Sequence, residues 1–260
     1  MKVSAKLNAM SKLVVLSTLV LVCCMTGCGS QPDKSLEDLK RETNDFIVKK
    51  DFPKALKSAN AMLTKVEKDH GAVSRECADC WMGYGKVQFG LKDYKKSAAA
   101  FDKAAEIITE LKTDRPLLAQ ALFAAGANLA EVNEFDQAEE RMARGIQILN
   151  KSGDENSFNL VSASTDLASM WLRRGRSNDA EDLLQKLLKP CRNDPNTPPH
   201  VLARILNNLG EIRYLRGDFE DGLDYYQQAL DLAQAKMPEN EQMISVFKKN
   251  VENAKGKMKK

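Results

Sequence analysis

Five stretches of this chain share one spacing at three separate positions, and this repeat constrains the fold more than any other sequence feature. The spacing is 42, 41, 42 and 42 residues. One position lies just after a turn and is aromatic in four of the five stretches: Phe52, Tyr94, Phe135, Ser177 and Phe219. The other two are small residues, Thr43, Gly85, Gly126, Ala168 and Gly210 before the turn, and Ala55, Ser97, Ala138, Ala180 and Gly222 after it.

Small residues at matched places around a turn predict two helices that cross closely, because backbones approach only where side chains are nearly absent. Each such hairpin leaves an apolar face that only the next hairpin covers. The sequence therefore predicts an all-α fold, a right-handed α-solenoid of five helical hairpins over residues 36–236. Residues 237–260 are predicted to form a C-terminal capping helix that begins at Pro238, followed by a basic tail. The apolar stripe of that helix consists of Met243, Ile244, Phe247 and Val251.

The stretch NNLGEIRYLRGDFEDGLDYYQQAL, residues 207–230, resembles a tetratricopeptide repeat, as does WMGYGKVQFGLKDYKKSAAAFDKAAEI, residues 81–107. The period here is similar to that of kinesin light chains and some bacterial regulators, and is longer than the usual repeat of about 34 residues. The resemblance implies five tetratricopeptide-type hairpins whose first helices line a concave groove. Such grooves bind extended peptides or partner helices, but the fold alone does not identify the partner.

Two details of the helix ends are also predicted. The connection between the fourth and fifth units, residues 190–199, contains four prolines together with Cys191 and is predicted to be an exposed, mobile loop. Ser177, which replaces the aromatic residue after the fourth turn, is predicted to cap the following helix, and Ser35 is predicted to cap the first one.

The first 27 residues have the pattern of a signal peptide. Three lysines and no acidic residue accompany an apolar run at residues 13–25, which is too short to span a bilayer. Met25-Thr26-Gly27-Cys28 resembles the lipobox of bacterial lipoproteins, in which the Cys sulfur is lipidated and the chain is cut just before it. The resemblance implies a lipoprotein whose Cys28 carries acyl chains such as palmitate. An ordinary cleaved signal and an uncleaved anchor are the alternatives.

Residues 28–35 are predicted to be a short polar tether. Seven residues reach at most about 25 Å, so the folded part would stay close to the lipid surface. An Asp directly after the lipidated Cys would resemble an inner-membrane retention signal, but this position is Gly29. The implied localisation is therefore the bacterial cell envelope, and the outer membrane if the cell is Gram-negative.

The charge balance argues against a nucleic-acid partner. The chain has 39 basic and 36 acidic residues, and residues 1–27 hold three of the lysines and no acid. The predicted mature chain therefore has 36 of each and a net charge of zero. Nucleic-acid binding needs a basic face, which a neutral chain gives no reason to expect.

No catalytic motif is evident in the sequence. His70 and His200 are the only histidines, and both are predicted to lie in loops between repeats. The sequence contains neither a Walker loop nor a dinucleotide fingerprint. We therefore expect a protein that is not an enzyme, with no cofactor, no metal site and no small-molecule substrate.

Cys77 and Cys80 lie three residues apart in a predicted helix, so both thiols share one face. A local disulfide is one interpretation in an oxidising compartment. A redox pair, or a metal site that includes His70, is a second interpretation. In the third, which we favour, both cysteines are small residues packed between repeats.

The family resemblance, applied residue by residue, places candidate peptide- or partner-binding residues on the first helix of each unit. Asn amides suit a peptide backbone because they both donate and accept hydrogen bonds. The candidates are Met82, Lys86 and Phe89 in the second unit, Gln120, Phe123 and Ala127 in the third, Thr165, Asp166 and Ser169 in the fourth, and Arg204, Asn207, Asn208, Glu211 and Tyr214 in the fifth.

These observations predict a membrane-anchored scaffold or adaptor that binds a peptide or partner protein in its groove and acts in envelope assembly or secretion. The alternative is a regulatory solenoid that senses a peptide by changing its curvature.

Overall fold

The computed structural model describes residues 34–151 and 158–259, which form eleven α-helices and no strand. The predicted signal peptide, Cys28 and most of the tether lie outside the described residues. The helices are α1 Leu36–Val48, α2 Phe52–His70, α3 Arg75–Gly90, α4 Tyr94–Leu111, α5 Arg115–Glu131, α6 Phe135–Lys151, α7 Phe158–Arg173, α8 Ser177–Asn193, α9 Pro199–Arg216, α10 Phe219–Lys236 and α11 Glu241–Met258.

The helices pack in sequence as five hairpins, from α1 with α2 to α9 with α10, and each hairpin packs on the next. The predicted all-α solenoid is confirmed. First helices of successive units contact one another, for example α1 with α3 and α7 with α9. In the described part of the chain these contacts are more extensive than those between any two second helices. The stack therefore curves with its first helices inside, where they line a concave groove.

The small residues predicted at the helix crossings are all buried. In the fifth hairpin, a Cβ on Gly210 would lie 2.7 Å from the ring of Tyr226 and 3.1 Å from the carbonyl oxygen of Gly222. In the second hairpin, the Ser97 hydroxyl donates to the carbonyl oxygen of Gly85 at 2.9 Å. A larger side chain at either crossing would push the two helices apart, which explains the repeat of small residues.

Each hairpin turn holds one residue in the left-handed backbone region, at the same position of the repeat. Glycine adopts this conformation easily, whereas a residue with a Cβ pays about 1 kcal/mol for it. The first two units nevertheless use lysine and the last two use glycine. The residues and their φ angles are Lys50 at 57°, Lys92 at 61°, Asn133 at 62°, Gly175 at 76° and Gly217 at 89°.

The N-terminal end of the stack is closed by charged residues. In α1, the half-buried Asp38 and the exposed Asp45 lie at the positions where α3 has the buried residues Cys80 and Val87. In α3 these residues pack against the preceding unit. The acidic residues of α1 therefore suit the end of the described stack, where no further hairpin packs on α1. Ser35 caps this helix as predicted, its Oγ accepting from the backbone N–H of Asp38 at 3.1 Å.

The C-terminal end is closed by α11, which packs on α10 like the first helix of a sixth unit. Lys248 and Glu252 lie 42 residues after Leu206 and Gly210, which pack against the second helix of the fifth unit. A second helix of a sixth unit, packed at these positions with its apolar face, would contact charged groups. An open cavity of about 680 Å³ beside these residues marks where it would lie. The buried side of α11 consists of Phe247, Val251 and Ala254.

Helix boundaries differ from the predictions at several positions. α11 begins at Glu241 rather than Pro238, because the Asn240 side chain caps it by accepting from the Met243 N–H at 3.2 Å. α8 begins at Ser177 itself, so its cap residue is Arg176. The predicted histidine loops are also wrong, since His70 ends α2 and His200 lies in the first turn of α9.

The proline-rich connection between the fourth and fifth units is shorter than predicted. α8 continues through Pro190 to Asn193, and Cys191 is buried rather than exposed. A proline so close to the end of a helix removes a single backbone hydrogen bond, which the last turn tolerates better than the middle of a helix would. Only residues 194–198 connect α8 to α9.

Candidate functional site

The C-terminal half of the groove, formed by α7, α9 and α11, is lined by polar side chains that bind one another. Arg204 of α9 forms an ion pair with Asp166 of α7. One turn further along α9, Asn208 Nδ2 donates to Ser169 Oγ at 2.7 Å. These bonds bring together four of the predicted residues and fix their orientation across two units.

The capping helix adds a groove residue that sequence reasoning missed. Asn250 Nδ2 of α11 donates to Asn207 Oδ1 at 2.8 Å. Asn250 lies 42 residues after Asn208. The repeat spacing would have identified it if α11 had been treated as a sixth first helix.

Glu211 is a half-buried carboxylate of α9 that forms no ion pair within the described residues. Burial raises the pKa of its carboxyl, because less water solvates the charged form. Burial and, to a smaller degree, the charge of Glu211 raise the pKa of the neighbouring Tyr226 phenol. A half-buried carboxylate without a counter-ion is suited to receive a cationic group from a ligand.

Tyr214 lies one turn beyond Glu211 and is half-buried. Its ring centroid is 5.3 Å from that of Phe219 and 6.5 Å from that of Tyr226. Edge and tilted contacts of this kind hold aromatic rings in place. The polar half of the groove therefore ends in an ordered aromatic cluster.

The N-terminal half of the groove is more open and carries fewer polar bonds. Lys86, Phe89 and Gln120 are exposed, as expected of residues that can contact a partner. Phe89 is 54% exposed, although its ring lies 5.8 Å from that of Tyr94. These three residues are therefore available at the surface.

Several predicted lining residues are instead packed inside the solenoid. Met82 is buried in an apolar cluster with Phe101 and Leu122, and the buried Thr165 hydroxyl donates to the carbonyl oxygen of Val161 at 2.8 Å. The Phe123 ring fills the space beside Gly145 of α6. Asn208 is buried as well, and Ala127 is half-buried in an apolar cluster. Apart from Asn208, which is buried within the hydrogen-bonded set of α7 and α9, these residues face neighbouring helices rather than the open groove.

Cys77 and Cys80 are both buried, and both thiols are free in the structure. Burial raises the pKa of Cys77 and raises the pKa of Cys80 to about 12. A reactive thiol needs the opposite shift. Cys80 also occupies the register of Ala121 and Ala163, two buried alanines of later units. The structure thus favours the packing interpretation of this pair.

Across residues 34–151 and 158–259, no three His, Cys, Asp or Glu side chains are arranged to hold a metal ion. The same part of the chain contains no helix with the length and apolar character needed to cross a bilayer.

Stacked helical hairpins around a concave groove define a helical-repeat protein of the kind that binds other proteins or peptides. A tetratricopeptide repeat model matches residues 75–151 and 159–235. The chain belongs to the tetratricopeptide repeat family. The predicted resemblance to kinesin-light-chain-type repeats is confirmed by a structural likeness to a Podosopora anserina putative kinesin light chain with nearly identical TPR-like repeats. The TM-score is 0.65 at 10% identity, over 80% of this chain and 99% of that one.

Two further proteins are similar to this chain. One is NprR, solved in complex with its cognate peptide NprX, with a TM-score of 0.60 and 14% identity over 100% of this chain and 78% of that one. At such identities the structural likeness shows the fold. The other is the transcription activator GutR of Bacillus subtilis (strain 168), 26% identical over 110 residues. That match covers 42% of this chain and 13% of the length of GutR.

Proposed function

We propose that this protein is a scaffold that binds an extended peptide or a partner protein in the polar half of its groove. The observation that carries the proposal is the ordered set of side chains on α7, α9 and α11. It includes the carboxylate of Glu211, which forms no ion pair within the described residues. Asn207 lies one turn away and supplies amide groups suited to a peptide backbone. The likeness to NprR, which was solved with a peptide, supports a ligand of this class.

The negative charge of Glu211 restricts the chemical class of the ligand. A Lys or Arg side chain, or an N-terminal amine, would supply the counter-ion that this carboxylate lacks within the described residues. Ion pairing at a half-buried site is screened less by salt than pairing at the surface. We therefore expect the bound segment to carry at least one cationic group.

Proximity labelling from the full chain tests the groove. The double variant Asn207→Ala, Glu211→Gln should lose a specific labelled neighbour that the wild type retains. The matched control makes the same two changes on exposed residues of second helices, as Asn60→Ala and Glu110→Gln. If both double variants lose the same neighbour, or neither loses any, the groove is not the binding site.

The anchoring of this scaffold in the bacterial envelope is also part of the proposal. It is supported by the lipobox-like sequence that ends at Cys28 and by the apolar run before it. Acyl chains contribute about 0.8 kcal/mol per buried methylene, so several of them hold a protein on a membrane. A Cys28→Ser variant should lose fatty-acid labelling and leave the membrane fraction. A variant that stays in that fraction with its label unchanged would refute lipidation at this residue.

A peptide-sensing regulator is the second candidate, and the likeness to NprR favours it. Such a protein would change the curvature of its solenoid when the peptide binds, whereas a passive scaffold would not. Small-angle scattering distinguishes the two, because only the sensor should change its radius of gyration when ligand is added. Neither role involves catalysis, and the proposal includes no enzymatic activity.

A further inference from the structure

The turns of the first two units form an exposed patch of lysines and apolar side chains. We name it the basic turn patch, and it consists of Val48, Lys49, Lys50, Phe89, Leu91 and Lys92. Val48 is 81% exposed and Phe89 is 54% exposed. The two turns are neighbours, because the ring of Phe52 in the first unit fills the space beside Gly90 in the second.

The positive charge of this patch is not neutralised within the described residues. Neither its three lysines nor the nearby Lys86 form an ion pair there. The two carboxylates of these turns are already engaged. Asp51 binds the Lys54 ammonium at 2.6 Å, and Asp93 binds that of Lys96 at 2.7 Å.

The same edge of the later units is neutralised by ion pairs. Arg173, at the register of Val48, binds Glu131 at 3.2 Å. Arg216, at the register of Lys49, pairs with Glu181. The uncompensated charge is therefore a property of the first two turns and not of the repeat in general.

Two of the patch lysines are also unfavourable for the fold. Lys50 and Lys92 have φ angles of 57° and 61°, where the later units have Gly175 and Gly217. Glycine would relieve the strain that a Cβ creates in this conformation. Neither lysine is therefore explained by the stability of its turn.

We propose that the basic turn patch is a docking surface for an anionic phospholipid bilayer. Lysines close to such a surface are attracted to its acidic headgroups. Val48, Phe89 and Leu91 would enter the interfacial layer, as apolar side chains of peripheral proteins do. The patch lies at the turns along one edge of the stack, where its apolar side chains are exposed rather than enclosed, which suits a flat surface.

The geometry is compatible with the proposed lipid on Cys28. α1 has 13 residues and places its N-terminus about 20 Å from the patch. The tether of seven residues reaches at most about 25 Å. Both attachments therefore reach the same bilayer, with α1 standing upright on it. The patch is nevertheless testable without the lipid.

Sedimentation with vesicles tests the proposal on the full chain. The wild type should bind phosphatidylcholine vesicles that contain phosphatidylglycerol more tightly than pure phosphatidylcholine vesicles. The variant Lys50→Gly, Lys92→Gly should bind the anionic vesicles about 25-fold more weakly, since each lysine near the surface contributes roughly a factor of five. Residues 1–33 are the same in every variant, so their contribution cancels.

Two control variants separate charge from backbone effects. Lys112→Gly makes the same change at another left-handed lysine, φ 53°, on the opposite edge of the stack, and should bind as the wild type does. Lys50→Arg, Lys92→Arg keeps the charge and should also bind normally. Because the glycine variants relieve strain, they should unfold at equal or higher temperature, so weaker binding would not reflect unfolding.

A second readout locates the contact. The fluorescence of the tryptophan introduced by Val48→Trp should be quenched in anionic vesicles with brominated acyl chains. Leu215→Trp should not be quenched, although Leu215 occupies the same register in the fifth unit and is 59% exposed. The groove variant Asn207→Ala, Glu211→Gln should bind vesicles normally, which keeps this test independent of the groove proposal.

Several outcomes would overturn the proposal. Equal binding of the wild type to anionic and neutral vesicles would overturn it. These lysines would then be assigned to an acidic protein partner. Equal losses in the Lys50→Gly, Lys92→Gly and Lys112→Gly chains would also overturn the proposal. Equal quenching at positions 48 and 215 would place the contact elsewhere on the molecule.

Discussion

The junction between the second and third units and the junction between the third and fourth occupy the same register but are built differently. At the first, Ala98 of α4 and Leu129 of α5 belong to one apolar cluster. At the second, the equivalent residues are Glu139 of α6 and Trp171 of α7, and Trp171 Nε1 donates to Glu139 Oε1 at 3.0 Å. Helix packing is also more extensive at the first junction than at the second.

Glu139 is the centre of a charged network. Its carboxylate binds Arg176 at 2.8 Å and Arg174 at 3.2 Å, and the Arg176 guanidinium lies 4.8 Å from the Trp171 ring centroid. The next junction repeats the arrangement, with Glu181 paired to arginines of α9. Apolar burial contributes more net stability than partly exposed ion pairs do. Directional bonds, in contrast, fix the angle between units, so the N-terminal half supplies stability and the C-terminal half supplies orientation.

The largest expected effect is at the apolar junction. Leu122→Ala should lower the free energy of unfolding by about 3 kcal/mol, because it leaves a cavity in the cluster that joins α3, α4 and α5. Urea denaturation followed by circular dichroism measures this loss. Leu215→Ala, at an exposed leucine, should cost less than about 0.5 kcal/mol. Equal losses in the two variants would contradict the stabilising role of this junction.

Glu139→Gln should cost about 1 kcal/mol, because it removes one of the two carboxylates that each arginine binds. The loss should shrink at high salt, where the Debye length falls to about 3 Å. The loss in Leu122→Ala should not change with salt, because it involves no charge. Denaturation of both variants at low and high salt makes the comparison. A salt-independent loss at Glu139 would mean that the network acts through packing.

The apolar junction contains one defect that a substitution can repair. Asn128 donates to the Ala124 carbonyl at 2.7 Å, but its buried Oδ1 has no partner within the described residues. Val87, Met170 and Ile212 occupy this register in other units. Asn128→Val should therefore raise the free energy of unfolding by about 1 kcal/mol.

Asn208→Val is the control for this repair. Its amide is paired to Ser169 across two units, so the same change should destabilise the protein. If both variants shift the urea midpoint in one direction, the unpaired oxygen is not the cause.

The smallest expected effect concerns Glu211 and depends on pH. Its folded-state pKa is raised above 4.5, so the stability that the protonated carboxyl provides is present at low pH and lost as pH rises through the raised pKa. Glu211→Gln does not lose stability in this way, because its amide does not ionise. The variant should therefore gain stability relative to wild type between mildly acidic and neutral pH, as measured by unfolding midpoints. Parallel pH profiles would show that the carboxyl is not destabilised by burial.

The hairpins were predictable because a close helix crossing imposes a strict local requirement. Gly210 and Gly222 must be small for their helices to approach, and the same requirement recurs in every unit. The turns were predictable for the same reason. A period read from such positions places each helix without knowledge of its neighbours.

The groove was less predictable because its lining depends on how each helix is rotated against the next unit. Phe123 and Asn207 share one register, yet the first packs on Gly145 and the second binds the capping helix. Gly145, on the second helix of the same unit, provides the space that the Phe123 ring fills. Cys191 was misplaced similarly, because α8 continues through Pro190 and buries it.

The charged residues at both ends have a consequence for length. A stack of identical units with apolar ends would recruit further copies and grow into a fibre. Asp38 and Asp45 at one end, and Lys248 and Glu252 at the other, oppose such growth without involving any internal unit. The number of units can therefore be changed: duplicating an internal hairpin should lengthen the rod by a fixed step without promoting end-to-end association.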